Sequence, residues 1–309
     1  MISVSGISKR YGTVEALSDI SFATGEQHVL GLLGENGAGK TTLLNILSGC
    51  MEADAGTVSI GSQPLDTSTL NTKRLIGYLP EVPPLYPEMT VNEYLKFCIE
   101  LKGVVAGDRQ RHLHDIAALS GIENVLMRRI ASLSHGYQQR VGLAQALAGN
   151  PPILLMDEPT KGLDPGQIVE FRRLIARLAE KHTILLSSHI LSLVQSMCNR
   201  VLILHHGRLV ADRCINTESP AFSLSLAASE KTARPMVRAI ESVRRVQVIG
   251  AQREQTDLLV ETSDPEHFPR RLFCLASARQ IPILHLARQK DTLEEIYIHA
   301  IKEQEDTLS

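Results

Sequence analysis

The sequence predicts an α/β protein with a parallel-sheet core, followed by a small α+β domain. Three observations carry that prediction. Short apolar runs at 28–33, 75–79, 153–156 and 183–187 read as buried strands. Helical spacing separates them, as at 165–180, and strands alternating with helices give a parallel sheet. After about residue 216 the order becomes strand, helix, strand, strand, helix, strand and a last helix, which reads as a ferredoxin-like sandwich.

The elements follow in order. The first 60 residues read as short strands punctuated by glycine. The strand 28–33 (HVLGLL) runs into a glycine-rich loop, and the helix over 40–48 stops at Gly49, a residue suited to the position past a helix end. The strand 75–79 (LIGYL) leads into a proline-rich turn, 80–87. From about 88 to 150 the apolar spacing turns helical, so this stretch reads as a small helical subdomain inserted in the core. Within it, 131–149 (ASLSHGYQQRVGLAQALAG) is an amphipathic helix, with Val141, Ala144 and Ala148 on one face and Gln138, Gln139 and Gln145 on another. A hairpin at His206 and Gly207 closes a first domain, 1–215. In the second, 216–309, Phe222, Leu224 and Leu226 alternate with small residues as in a half-buried strand. A helix (232–242), two strands (244–250 and 256–262), a helix (265–278), a strand (281–287) and a helix (291–303) follow.

Composition narrows the function classes. Apolar residues are 43% of the 309, enough for a substantial core. The formal charge of -2 supplies no drive toward nucleic acid or an anionic membrane surface. No apolar run approaches the ~18 residues of a membrane span, and the first residues lack the apolar core of a secretory signal. The five cysteines are scattered without a Cys-x-x-Cys pair, so they read as small buried residues in a reducing compartment, not as disulfides or zinc ligands. These features make a cytoplasmic protein the expectation.

Two motifs carry chemistry. Gly34, Glu35, Asn36, Gly37, Ala38, Gly39, Lys40, Thr41 and Thr42 match the phosphate-loop pattern between a strand and a helix. Glycines let successive backbone N–H groups point at phosphate oxygens, and the helix N-terminus adds its positive dipole end. Lys40 is expected to reach the β and γ phosphates and Thr41 to hold Mg²⁺. The apolar strand 153–156 ends in Asp157 and Glu158. Adjacent strand residues point to opposite sides, so Asp157 suits Mg²⁺ and Glu158 the attacking water.

The remaining signals fall in a fixed order: Tyr11 near the start, Leu133-Ser134-His135-Gly136 before the acidic pair, Gly162-Leu163-Asp164 after it, and His189 past the next strand. With the phosphate loop and the acidic pair, this order resembles the ATP-binding cassette (ABC) family over residues 1–215. The resemblance implies a P-loop NTPase cassette with an N-terminal antiparallel β part and the inserted helical subdomain. It implies that two cassettes, a homodimer or a pair, trap ATP between them. Tyr11 then resembles the aromatic that stacks on adenine. Ser134 and Gly136 resemble the residues facing the partner's γ-phosphate, Glu158 the general base, Asp164 the link between the two sites and His189 the γ-phosphate switch. Asp164 before Pro165 also reads as a helix N-cap, and Lys161 reads most simply as a solvated lysine.

Two residues depart from the family pattern, which has glutamine at both places. Glu81 can still coordinate Mg²⁺ but cannot donate a hydrogen bond. Tyr137 is poorly suited to close a capping box onto Ser134, so packing is its expected role. Together they resemble bacterial exporter cassettes, of the gliding-motility and drug- or lipid-exporter types, that serve separate membrane subunits. That implies an ATP-hydrolysing subunit on the inner face of the membrane, with a permease docking near residues 82–103. The competing reading is a soluble ABC ATPase acting on nucleic acid or ribosomes. The single cassette, the absence of sustained heptads and the charge balance count against it, and no nucleic-acid partner is expected. A GTPase-like switch lacks the Asn-Lys-x-Asp segment, and the complete set Lys40, Asp157, Glu158 and His189 counts against an inactive binding subunit.

Overall fold

The computed structural model describes residues 1–25, 29–61, 63–65, 70–215, 221–288 and 293–308. His28 at the head of the expected first core strand, the domain boundary at 216, and residues 291–292 of the expected last helix lie outside them. The chain divides into two compact units, Met1–Ile215 with Tyr297–Ser309, and Asn216–Ile296. Residues 297–309, expected in the second domain, group with the first unit.

The first unit is built on two sheets. Strands β1 (Ile2–Tyr11), β2 (Val14–Ala23), β3 (Val29–Leu33), β4 (Ala55–Ile60) and β5 (Gln63–Pro64) open the chain. All but β3 form an antiparallel sheet in the order β2-β1-β4-β5. β3 instead starts the core sheet with β6 (Ile76–Leu79), β7 (Ile153–Met156), β8 (Thr183–Ser188), β9 (Arg200–His205) and β10 (Arg208–Cys214), in the order β10-β9-β3-β8-β7-β6. Its pairings are parallel except β9 with β10. Every residue of β3 and β7 is buried, as expected of strands covered on both faces. The hairpin joining β9 to β10 turns on His206 (φ 46°) and Gly207 (φ 74°), the double positive φ of a tight twisted hairpin. One apolar core runs from the antiparallel sheet into the parallel one through Ile7, Leu17, Leu43, Leu44 and Leu155.

Helix α1 (Lys40–Leu47) follows β3, and the short α2 (Leu70–Arg74), which the sequence reading missed, precedes β6. The inserted subdomain holds α3 (Val91–Leu101), α4 (Arg109–Ser120) and α5 (His135–Leu147). α3 starts with a capping box: Thr90 Oγ1 accepts from Glu93 N, and Glu93 Oε2 accepts from Thr90 N. The glutamine face of α5 does not meet solvent as a polar face would. Gln139 is buried, and Gln145 Oε1 accepts the Tyr94 hydroxyl at 2.6 Å. α6 (Pro165–Leu178) and α7 (Leu191–Met197) complete the layers over the sheet.

The second unit contains β11 (Ala221–Leu226), α8 (Glu230–Arg238), β12 (Val243–Ala251), β13 (Thr256–Thr262), α9 (Phe268–Ala278) and β14 (Ile283–Arg288). Its sheet is antiparallel in the order β12-β13-β11-β14. Leu224, Leu226, Met236, Leu258 and Phe268 form its core. α10 (Leu293–Leu308) closes the described chain.

The cysteines correct an expectation. Cys98 and Cys198 are buried, but Cys50, Cys214 and Cys274 are exposed. Cys50 follows the end of α1, Cys214 ends the edge strand β10, and Cys274 lies off the Phe268–Leu272–Ala276 stripe that faces the core of its unit.

Candidate active site

The site forms where the core strands end. Gly39 has φ 104°, and a Cβ there would sit 2.6 Å from the Ala16 carbonyl oxygen, so only glycine fits. That turn launches α1 with Lys40 at its first position. Lys40 is buried, and its Nζ donates to the carbonyls of Gly34 (2.8 Å) and Glu35 (3.1 Å). The same ammonium lies 3.7 Å from Glu158 Oε1. Thr41 Oγ1 donates to Asp157 Oδ2 at 2.7 Å.

Strand register assembles the acids. Met156 pairs with Leu186 across β7 and β8, which sets Asp157 beside Ser187. The Ser187 hydroxyl donates to Asp157 Oδ1 at 2.6 Å and accepts from Glu158 N at 2.8 Å. Glu158 has φ 46°, a left-handed backbone that costs a non-glycine residue about 1–3 kcal/mol. The bond from its amide to Ser187 helps hold that conformation. His189 Nδ1 donates to both Glu158 carboxylate oxygens at 3.0 Å. Lys40, Thr41, Asp157, Glu158 and His189 are therefore one bonded cluster, with Ser187 as its hub. Tyr78 donates to Asn45 Oδ1 at 3.0 Å beside it. Burial, then the nearby Asp157, raises the Tyr78 pKa far above the ordinary phenol value.

Other expected residues lie elsewhere. Tyr11 is exposed at the end of β1, and its hydroxyl donates to Met51 Sδ at 3.0 Å. Ser134 occupies the N-cap of α5 with extended backbone, but its hydroxyl makes no capping bond to the helix. Among the described residues no hydrogen bond or ion pair joins Ser134 or Gly136 to the Lys40 cluster. Both sit instead against the segment after the acidic pair: Gly162 lies next to the His135 ring, and Gly136 next to the Gln167 side chain. Asp164 closes a capping box on α6, its Oδ1 accepting from Gln167 N at 2.8 Å. Tyr137 accepts a bond from Asn124 Nδ2 at 3.1 Å.

Lys161 is solvated, as expected, and it is also paired. Its Nζ bonds Glu81 Oε1, and the Glu81 hydrogen bond is the first cause of its raised pKa. The Glu81 carbonyl accepts from Gln139 Nε2 at 2.9 Å. Ser187, Gln139 and the Lys161 pairing were missed from the sequence. Only the strand register exposes the first, and the other two bridge residues 58 and 80 apart.

A parallel sheet whose strand ends carry a phosphate loop and an acidic pair defines a P-loop nucleoside triphosphatase. The profile of the family described as ABC transporter matches residues 17–161. The uncharacterized ABC transporter ATP-binding protein YxlF of Bacillus subtilis (strain 168) is 36% identical over 68% of this chain and 69% of its own length. The linearmycin resistance ATP-binding protein LnrL of the same organism is 28% identical over 97% of each chain. The Nod factor export ATP-binding protein I of Burkholderia orbicola (strain AU 1054) is 33% identical over 68% of this chain and 70% of its own. The dimeric structure of a bacterial ABC transporter cassette superposes with a TM-score of 0.64, at 26% identity, over 69% of this chain and 98% of that one. The chain belongs to the ABC transporter ATP-binding family; it is an ABC-type, ATP-binding ATPase cassette.

Proposed function

We propose that this chain is the ATPase subunit of a bacterial exporter, working as a head-to-tail pair of cassettes with Mg²⁺ and driving a separate membrane permease. The observation that carries the reading is the bonded cluster of Lys40, Thr41, Asp157, Glu158 and His189 at the strand ends. The amides from Gly34 to Thr42 cradle the triphosphate, and Lys40 brings its charge to the β and γ phosphates. Tyr11 offers an exposed ring to adenine. Thr41 and Asp157, a hydroxyl and a carboxylate 2.7 Å apart, form an oxygen donor set suited to Mg²⁺. Among the described residues no three His, Cys, Asp or Glu side chains cluster as a metal site. That fits a cation whose other ligands are phosphate and water. Thr41 and Asp157 would hold Mg²⁺, which when bound would supply charge to offset the negative charge developing on the phosphate.

Glu158 takes the proton of the attacking water as its oxygen bonds the γ phosphorus and the bond to the β-bridging oxygen breaks. His189, bonded to Glu158, aims that carboxylate and contacts the γ-phosphate. Ser134, Gly136 and the exposed start of α5 complete the ATP site of the partner cassette, and the dimeric structural relative supports that pairing. Asp164 caps α6 and links the two sites.

Residues 1–215 constitute the cassette in this reading, and the α+β domain from 216 is an appendage to it. Among the described residues no helix is long and apolar enough to cross a membrane, which supports a separate permease. A groove of about 480 Å³ with Tyr78, Pro80, Pro84, Leu101 and Lys102 in its wall, and the exposed Val82, Tyr86 and Phe97, supports docking near residues 82–103. The cassette then sits on the inner face of the membrane. Relatedness to the Nod factor export protein supports export. The test is Glu158→Gln. We expect retained ATP binding and ATP-dependent dimerisation, with hydrolysis lowered at least ~100-fold, the range of a lost general base. Normal turnover in that variant would remove Glu158 from the role.

A further inference from the structure

We propose that Lys161 is a positioning residue that holds the Glu81 carboxylate in reserve and so sets the Mg²⁺ concentration at which nucleotide binds. The proposal rests on the cassette reading above and adds a residue to it.

Glu81 is tied down at its main chain, while its partly exposed carboxylate is held by one ion pair. Its carbonyl accepts from the buried Gln139, which ties the loop after β6 to α5. Its carboxylate bonds Lys161 in the turn after β7. Lys161 is anchored as well, since its amide donates to the Glu158 carbonyl at 3.0 Å. The pair therefore joins the loops that follow two neighbouring parallel strands.

Charge explains why a lysine stands there. Asp157 and Glu158 already place two acids at these strand ends, and Glu81 adds a third beside the proposed triphosphate site. Lys161 feels all three: its pKa is raised first by the Glu81 hydrogen bond, then by the charges of Glu81, Glu158 and Asp157. Lys161 is exposed, its side chain at 60%, and Glu81 is partly exposed at 37%. An ion pair in that setting is weak and exchangeable. A divalent cation at Thr41 and Asp157 competes with the ammonium for the same carboxylate and has the higher charge. Glu81 is thus either on Lys161 or available to the cation.

The test is nucleotide binding, not turnover. A fluorescent, slowly hydrolysed ATP analogue at fixed concentration is titrated with Mg²⁺ on the full chain. Wild type, Lys161→Met, Lys161→Arg, Glu81→Gln and the Glu81→Gln/Lys161→Met double variant are compared. Lys161→Met should lower the Mg²⁺ midpoint by about two- to fivefold, the scale of an exposed pair. Lys161→Arg should match wild type, Glu81→Gln should raise the midpoint, and the double variant should match Glu81→Gln. An unchanged midpoint in Lys161→Met overturns the proposal. So does an equal shift in the Glu81→Gln background, because Lys161 would then act without Glu81. Wild type that binds no analogue at any Mg²⁺ concentration overturns the cassette reading and this proposal together, whereas binding with no Lys161–Glu81 coupling overturns this proposal alone.

Discussion

Ser187 shows how one hydroxyl orders two acids. It is fully buried, gives its proton to Asp157 and receives the amide of Glu158. Ser187→Ala leaves a buried carboxylate oxygen and a buried N–H short of a partner, and each such loss costs about 1–3 kcal/mol. The variant should show a lower denaturation midpoint and a reduced ATPase rate, with ATP binding through Lys40 largely kept. An unchanged rate would mean that Glu158 does not need this support. The phosphate loop, the acidic pair and His189 were readable in the sequence because each is a short local pattern beside a strand. Ser187 was not, because its role depends on Met156 standing level with Leu186. The pairing of the solvated Lys161 is hidden from the sequence for a similar reason. Its partner is 80 residues away, and an isolated lysine between Thr160 and Gly162 looks like any surface cation.

At the scale of elements, two neutral histidines hold the connection from α5 to β7. His112 Nε2 accepts the Gly149 amide at 2.9 Å, and His182 Nδ1 donates to the Pro151 carbonyl at 2.7 Å. Burial lowers both pKa values, so the folded chain binds fewer protons than the unfolded chain as pH falls through the ordinary imidazole range. The stability these rings contribute is complete above about pH 6.5 and is lost as pH falls below it. The thermal midpoint should therefore drop between pH 7.5 and 5.5. A His112→Gln/His182→Gln variant should start lower and fall less steeply, and an equal slope would exclude the two rings as the cause. The strands and long helices around this connection were readable because burial imposes a period on the sequence. Boundaries moved by a few residues: α8 begins at Glu230 instead of 232, with Ser229 in extended backbone at the N-cap position but making no side-chain capping bond. The short α2 offers too few turns for a periodic signal.

For the whole molecule, the placement of Ser134 sets the strongest constraint. It stands on the exposed start of α5, and no hydrogen bond or ion pair among the described residues links it to Lys40. If the proposed pairing holds, no chain completes its own ATP site, and two defective chains repair each other. Lys40→Ala removes the phosphate loop's cation, and Ser134→Arg obstructs the surface offered to the partner. Each homodimer then has two broken sites. In a mixed dimer the Ser134→Arg chain supplies an intact phosphate loop and the Lys40→Ala chain an intact Ser134 surface, so one site is whole. Random pairing of equal amounts makes about half the dimers mixed, with one good site in two, or about a quarter of the wild-type sites. Occlusion of labelled ATP, measured on each variant and on the mixture, should be near zero, near zero and about a quarter of wild type. No recovery in the mixture would place the whole site within a single chain and exclude the head-to-tail arrangement.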